Sequence, residues 1–264
     1  MGTDLDVAGI TRGGSSGSYT YSVMNNAGSS ANRPITYVSW FDAARFSNWM
    51  ANGQPTGAQV ATTTENGAYT LNGATSGGGC TKNAVNPNTS ASTIFWVPSE
   101  NEWYKAAYYD PTLNAGTGGY WINPTQSNTQ PGNTIGAGAN LANFYNGVSY
   151  STGGAPYLTD VGAFTGSGSA YGTYDQGGNV WQWNDAILSG SERGLRGGSW
   201  HNGSMMSNLS RLASPDFERS DGGFRVASVP EPSTAGLVLL VGAGWMVWKR
   251  RKVPPALDPR IAAA

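Results

Sequence analysis

The chain has a single cysteine, Cys80, and a single histidine, His201, among its 264 residues. One cysteine excludes an intrachain disulfide and any cage of several thiolates, and one histidine excludes a histidine-rich iron, copper or zinc centre within one chain. Charge is also scarce, at 12% of residues. Residues 1–232 hold 10 Lys and Arg against 15 Asp and Glu and no basic stripe. That balance argues against nucleic-acid binding, because neutralising phosphates takes clustered Lys or Arg. No G-x-S-x-G elbow precedes His201, so a serine-hydrolase triad has no support. The N-terminus "MGTDLDVAG" has neither a basic stretch nor an apolar run, so no signal peptide is visible there.

What is abundant is glycine, with 38 residues, and aromatics, with 10 Trp and 13 Tyr. Together with many Asn, Ser and Thr, this mixture predicts one large loop-rich domain whose core is made by aromatic side chains. "GSYTYSV" alternates as a short strand does, and "RPITYV" predicts another that starts at a proline. In "SWFDAARFSNWMANG", Ser39 caps a helix with Asp42 at N3, and Ala43, Phe46, Trp49 and Met50 fall at helical spacing before Gly53. Residues 52–92 read as a hairpin or loop insertion around "GAYTL", with Cys80 an incidental loop thiol. A second capping box, Ser99 with Glu102, opens a helix with Trp103, Ala106 and Ala107 as its buried stripe and Pro111 beyond its end. From 112 to 172 only short aromatic patches separate the turns, so order there is expected from packed rings, side-chain hydrogen bonds and ions.

The C-terminal segment differs in kind. After "VPEPS", residues Thr234–Trp248 are nearly all apolar, and Lys249, Arg250, Arg251 and Lys252 follow at once. This predicts an apolar helix in the membrane. At roughly 1.5 Å per residue it is short for a hydrocarbon core of about 30 Å, and its basic flank stays on the cytoplasmic side.

Five ordered stretches resemble the formylglycine-generating enzyme, or sulfatase-modifying factor, family (FGE-sulfatase). "PITYVSWFDAARFSNWM" looks like P-V-x-x-V-S-W-x-D-A, and "VPSENEWYKAA" like L-P-T-E-A-E-W-E-x-A. "YGTYDQGGNVWQW" is similar to Y-G-L-Y-D-M-x-G-N-V-W-E-W, "LRGGSW" to R-G-G-S-W and "GFRVA" to the closing G-F-R. The tail resembles the PEP-CTERM sorting signal: Pro230, Glu231 and Pro232, an apolar run, then basic residues. The resemblance implies an α+β, C-type-lectin-like FGE-sulfatase fold, loop-rich with little regular secondary structure, plus the C-terminal apolar helix. It divides the chain into 1–33, a truncated remnant of the domain's N-terminal part; 34–228, the domain itself, with the insertion at 52–92; 229–252, the sorting and anchor segment; and 253–264, a basic cytoplasmic tail.

Family members that make formylglycine carry two cysteines just after the G-G-S motif, which bind copper and activate oxygen to oxidise a substrate cysteine. Thiolates suit Cu(I) because both are soft. Counted from Gly197, those positions fall on Asn202 and Ser207, and Arg211 falls on a family arginine. Copper oxidase chemistry is therefore not expected, and Ser199, His201, Asn202, Ser207 and Arg211 form a degenerate site that is polar and able to bind something. The resemblance also implies a Ca2+ site on Asp175, Gly178, Val180 and Gln182, weakened because Gln182 stands where the family has Glu. A second calcium position, at Asn143 and Phe144, has only Asp160 as a loose acidic candidate.

These readings converge on an exported domain, anchored in the cell envelope of a bacterium and processed by an exosortase-type enzyme, that binds a glycan or protein ligand without oxidase activity. The alternatives are an enzyme of the sulfatase-modifying type or a divergent oxidoreductase, and a structural component of extracellular matrix.

Overall fold

The computed structural model describes residues 4–202 and 211–228. The described residues before Ser228 fall in a unit spanning Met1–Ala227; the second unit, Ser228–Ala264, lies almost wholly outside them. The expected C-terminal apolar helix and basic tail therefore lie outside the described residues. Among those residues, no helix is long and apolar enough to cross a membrane.

Ser39 starts the first helix, α1 (Trp40–Ala51), as its spacing predicts: its Oγ accepts from the Asp42 amide at 3.1 Å, and the Asp42 carboxylate accepts from the Ser39 amide at 2.9 Å. The buried face differs from the one expected. Trp40, Phe41, Ala43, Ala44, Ser47 and Asn48 point inward, whereas Phe46 is exposed and Trp49 and Met50 are half-buried. The reason is the amide of Asn48. It donates to the carbonyls of Thr64 and Tyr69 at 2.7 and 2.9 Å and accepts from the Tyr69 amide at 2.7 Å. A buried polar side chain with every group satisfied costs little to bury and orients the helix. Phe46 turns instead to Phe224 and Trp49, with ring centroids at 5.3 and 5.5 Å.

The second helix, α2 (Glu100–Tyr108), has the predicted Ser99–Glu102 capping box and buries Trp103, Ala107 and Tyr108. Tyr108 takes the place expected of Ala106, which is half-buried.

"RPITYV" is not a strand. Tyr37 sits at φ 55°, and its amide donates to the Arg219 carbonyl at 2.8 Å, so this stretch docks as a loop on a distant segment. The N-terminal hairpin of β1 (Ile10–Ser15) and β2 (Ser18–Val23) pairs only with itself and is exposed along most of its length. Residues 52–92 hold a π-helical turn, Ala61–Glu65, and a short hairpin of β3 (Tyr69–Thr70) with β4 (Thr81–Lys82). This stretch is part of the core: Ala68, Tyr69 and Leu71 pack with Trp40, Phe41, Val97, Trp181, Trp183 and Leu195. Phe95–Trp96 form the short β5. Between 112 and 172 the only strand is β7 (Gly119–Tyr120), paired with β6 (Tyr109–Asp110). Asn side chains tie the turns there, as when Asn123 donates to the carbonyls of Ser127 and Thr129 at 3.2 and 2.8 Å.

The main sheet has the order β10 (Arg211–Ala213), β9 (Glu192–Arg196), β8 (Trp181–Ser189), β11 (Gly222–Phe224), with β11 parallel to β8 and the other pairs antiparallel. Alternation along β8 sends Trp181 and Trp183 into the core cluster and Gln182 to the opposite face. Trp183 also donates from Nε1 to the Val38 carbonyl at 3.0 Å, joining strand to helix entrance. The site lies at one end of this sheet, where the C-terminal end of β9 and the start of β8 run side by side, Arg196 opposite Gln182, and meet the loop before β8.

Candidate functional site

Strand β9 is followed by Gly197 and Gly198, both at positive φ, 95° and 70°. A side chain at Gly197 has no room: its Cβ would lie 2.5 Å from the Gln176 carbonyl oxygen and 3.3 Å from the Trp103 ring. The neighbour that demands glycine is thus a loop residue and α2. The Gly197 carbonyl accepts from the Gly178 amide at 2.8 Å, and the Trp200 amide donates to the Asn179 carbonyl at 2.9 Å. These two bonds stitch the R-G-G-S-W turn to the loop that precedes β8.

Ser199 is completely buried; its hydroxyl donates to Asp221 Oδ2 at 3.0 Å and accepts from the His201 amide at 3.4 Å. Asp221 is buried too, and Arg219 grips both of its carboxylate oxygens, sharing Oδ2 with Ser199. The hydroxyl therefore faces an ion-paired carboxylate, and His201 reaches it only through its backbone. This is a structural tie and not a nucleophile with its base, which requires an imidazole within hydrogen-bond reach. Trp200 stacks on Tyr157 with centroids 4.5 Å apart and planes 8° from parallel. Tyr150 touches both, Tyr145 touches Tyr150, and the His201 ring meets Trp200 edge-on at 5.2 Å. The exposed His201 and the half-buried Asn202 thus sit at the end of a ladder of rings, in a turn closed by the Asn202 amide on the Ser199 carbonyl at 3.1 Å. Arg211 lies on β10 opposite Leu195. Ser207 lies outside the described residues.

The segment 174–182 is bent by three left-handed residues, Asp175 (φ 54°), Gly178 (φ 76°) and Asn179 (φ 63°). A Cβ on Gly178 would lie 2.3 Å from the Asn143 carbonyl oxygen. The Asn179 side chain exchanges hydrogen bonds with the Thr159 backbone at 3.1 and 3.2 Å and accepts from Asn143 Nδ2 at 3.0 Å. Gln182 donates from Nε2 to the Asp175 carbonyl at 2.7 Å, while its Oε1 accepts from Trp103 Nε1 at 2.8 Å and Arg225 Nε at 2.6 Å. Arg225 also donates from Nη2 to the Tyr174 carbonyl at 2.7 Å. Burial pushes the Asp175 carboxyl up, against the Gly162 amide at 2.6 Å and the charge of Arg225. Asp175, Gln182, Arg225 and Phe224 line a cavity of about 220 Å³.

This donor set does not fit Ca2+. The Gln182 oxygen accepts two N–H groups, one of them from a guanidinium that stands against the amide, and the Asp175 carbonyl accepts a third from Gln182 Nε2. The Asp175 carboxylate and the Gly178 and Val180 carbonyls remain, well short of the six to eight oxygens that Ca2+ takes. Among the described residues no three of His, Cys, Asp and Glu converge as metal ligands. At the second position, Asn143 donates from Nδ2 to the Tyr157 carbonyl at 2.8 Å and to Asn179 Oδ1 at 3.0 Å, and Asp160 is exposed. Cys80 packs against the main core, where burial pushes its thiol up, away from the thiolate that reacts.

Three site residues were missed by sequence reasoning: Asp221, Arg219 and Arg225. Arg225 stood inside the quoted "GFRVA", and Arg219 and Asp221 immediately before it, but no local spacing announces partners 22 or 43 residues away.

A loop-rich α+β domain with a small mixed sheet, two capped helices and a G-G-S turn sewn to a G-G-N-V-W loop is the class that these elements define. The chain belongs to the FGE-sulfatase family: the model of the sulfatase-modifying factor enzyme 1-like domain matches residues 9–229. The match begins ahead of residue 34, where the quoted motifs start, and so takes in most of the N-terminal stretch. Similar solved structures include CarF, at 22% identity over 75% of this chain and 69% of that one with a TM-score of 0.45. Another is Treponema denticola variable protein 1, at 20% identity over 76% and 73% with a TM-score of 0.42. A search of curated proteins gave no match.

Proposed function

We propose that this protein is an FGE-sulfatase domain that does not make formylglycine and instead binds a ligand or partner, glycan or protein, at the envelope of a bacterium. One observation carries the reading: Asn202 and Ser207 stand where the copper-binding cysteines of formylglycine-generating members stand, and neither supplies a thiolate. The hydroxyl of Ser199, committed to Asp221, offers no substitute nucleophile. What is left at the turn is His201 and Asn202 at the end of the ring ladder, a polar edge on a stiff aromatic support, which suits binding. The C-terminal segment from Pro230 supports export, anchoring in the membrane and processing by an exosortase-type enzyme.

The test is incubation of the full chain with Cu(I), oxygen and a sulfatase-type cysteine peptide, followed by mass spectrometry. The peptide is expected to stay unconverted while an active family member converts it in parallel. Formylglycine formed by this chain would refute the proposal.

A further inference from the structure

We infer that the guanidinium of Arg225, and not a calcium ion, supplies the positive charge that holds the 174–182 turn together. The argument begins with what an amide can do that a carboxylate cannot. A carboxylate at position 182 is acceptor-only, so facing the Asp175 carbonyl it would set oxygen against oxygen and need a cation between them. Gln182 removes that need: its Nε2 hydrogens reach the Asp175 carbonyl directly at 2.7 Å. Its remaining oxygen points the other way, into two N–H groups from separate parts of the chain, Trp103 on α2 and Arg225 just after β11.

Arg225 then does the rest of what a bound cation does. It joins the Gln182 oxygen to the Tyr174 carbonyl, pulling the two ends of the turn toward one centre at 2.6 and 2.7 Å. Its charge also acts on the half-buried Asp175 carboxylate across the shared cavity. The charge count closes without an ion: Asp175 contributes one negative charge, Arg225 one positive, and Gln182 none. A divalent cation added here would face a guanidinium in a poorly solvated place, where like charges repel strongly. Burial lowers the Arg225 pKa and the Asp175 charge acts against that, but a guanidinium starts so basic that it stays cationic at neutral pH. The arrangement is therefore permanent, and independent of calcium supply outside the cell.

The experiment uses the full chain, stripped with chelator, in calorimetric titration with CaCl2 and in thermal unfolding with and without Ca2+. The wild type is expected to bind no Ca2+ through Asp175 and to keep its Tm in chelator. Binding that the Asp175→Asn variant abolishes would overturn the inference. Arg225→Met is expected to lower Tm by about 4 °C or more, a shift that Ca2+ does not restore; an unchanged Tm would count equally against the role given to Arg225. The double variant Gln182→Glu with Arg225→Met returns a carboxylate and removes the built-in cation, so its lowered Tm is expected to recover when Ca2+ is added. A double variant as stable as wild type in chelator would show that the turn needs no positive charge. If either Arg225 variant does not fold, the wild-type titration alone decides.

Discussion

The buried hydroxyl of Ser199 donates to Asp221 across 3.0 Å, joining the turn after β9 to the residue just before β11, the strand on the far side of β8 in the sheet. Asp221 also receives the Trp181 amide on its backbone carbonyl at 2.7 Å, so one residue gathers three segments. The serine of the G-G-S motif is here an internal brace. Ser199→Ala removes one donor from a buried carboxylate that Arg219 still holds. The expected cost is about 1–3 kcal/mol of unfolding free energy, measured by urea denaturation. An unaltered midpoint would show that the hydroxyl contributes nothing to the brace.

Glu65 links the same architecture to pH. Its carboxylate is buried, which by itself raises the pKa, but Arg45 at 2.6 Å, the Gly73 amide at 2.6 Å and Gln59 at 2.7 Å outweigh burial and hold it below its ordinary value of 4.5. A carboxyl depressed in the folded state stabilises above its unfolded pKa, and that contribution is lost as pH falls through the folded value. Glu65→Gln should therefore cost about 1–3 kcal/mol at neutral pH. The gap to wild type should close as the pH falls below 4.5. Raised groups such as Asp185 act in the opposite sense but are common to both proteins and cancel. Denaturation curves at a series of pH values check this; a gap independent of pH would leave the carboxylate's charge without a role.

Gly197 is the position least able to change. At φ 95°, with Gln176 against it, alanine combines left-handed strain with a Cβ only 2.5 Å from a backbone oxygen. Gly197→Ala is expected to lower stability by more than about 2 kcal/mol, whereas Gly153→Ala, also at positive φ but with open space around it, should cost only about 1 kcal/mol of strain. Parallel unfolding of the two variants separates close approach from backbone conformation.

The two helix starts were legible in the sequence because a capping box is a relation between residues three apart, and both form as read. The faces those helices bury were not. Helical spacing selected Phe46, Trp49 and Met50, but the outcome turned on Asn48 finding the backbone of Thr64 and Tyr69. "RPITYV" looked like a strand by composition, yet it found no neighbouring strand and turned left-handed at Tyr37. Propensity describes what a segment can do alone, and here the partner was absent.

From residues alone came the family and the counts on which the proposal rests: one thiol and one imidazole in the chain, and motifs whose order marks one domain. Only the tertiary structure decided which atoms meet. The Ser199 hydroxyl, read as part of a polar site able to bind something, is paired to a carboxylate 22 residues on, and the amide that looked like a weakened calcium ligand is filled by an indole 79 residues back and a guanidinium 43 residues ahead. Hydrogen-bond chemistry depends on direction at about 3 Å, and sequence spacing fixes such direction only within a turn of helix or a pair of strands. In a domain built mostly of loops, the rest is set when distant segments close on one another.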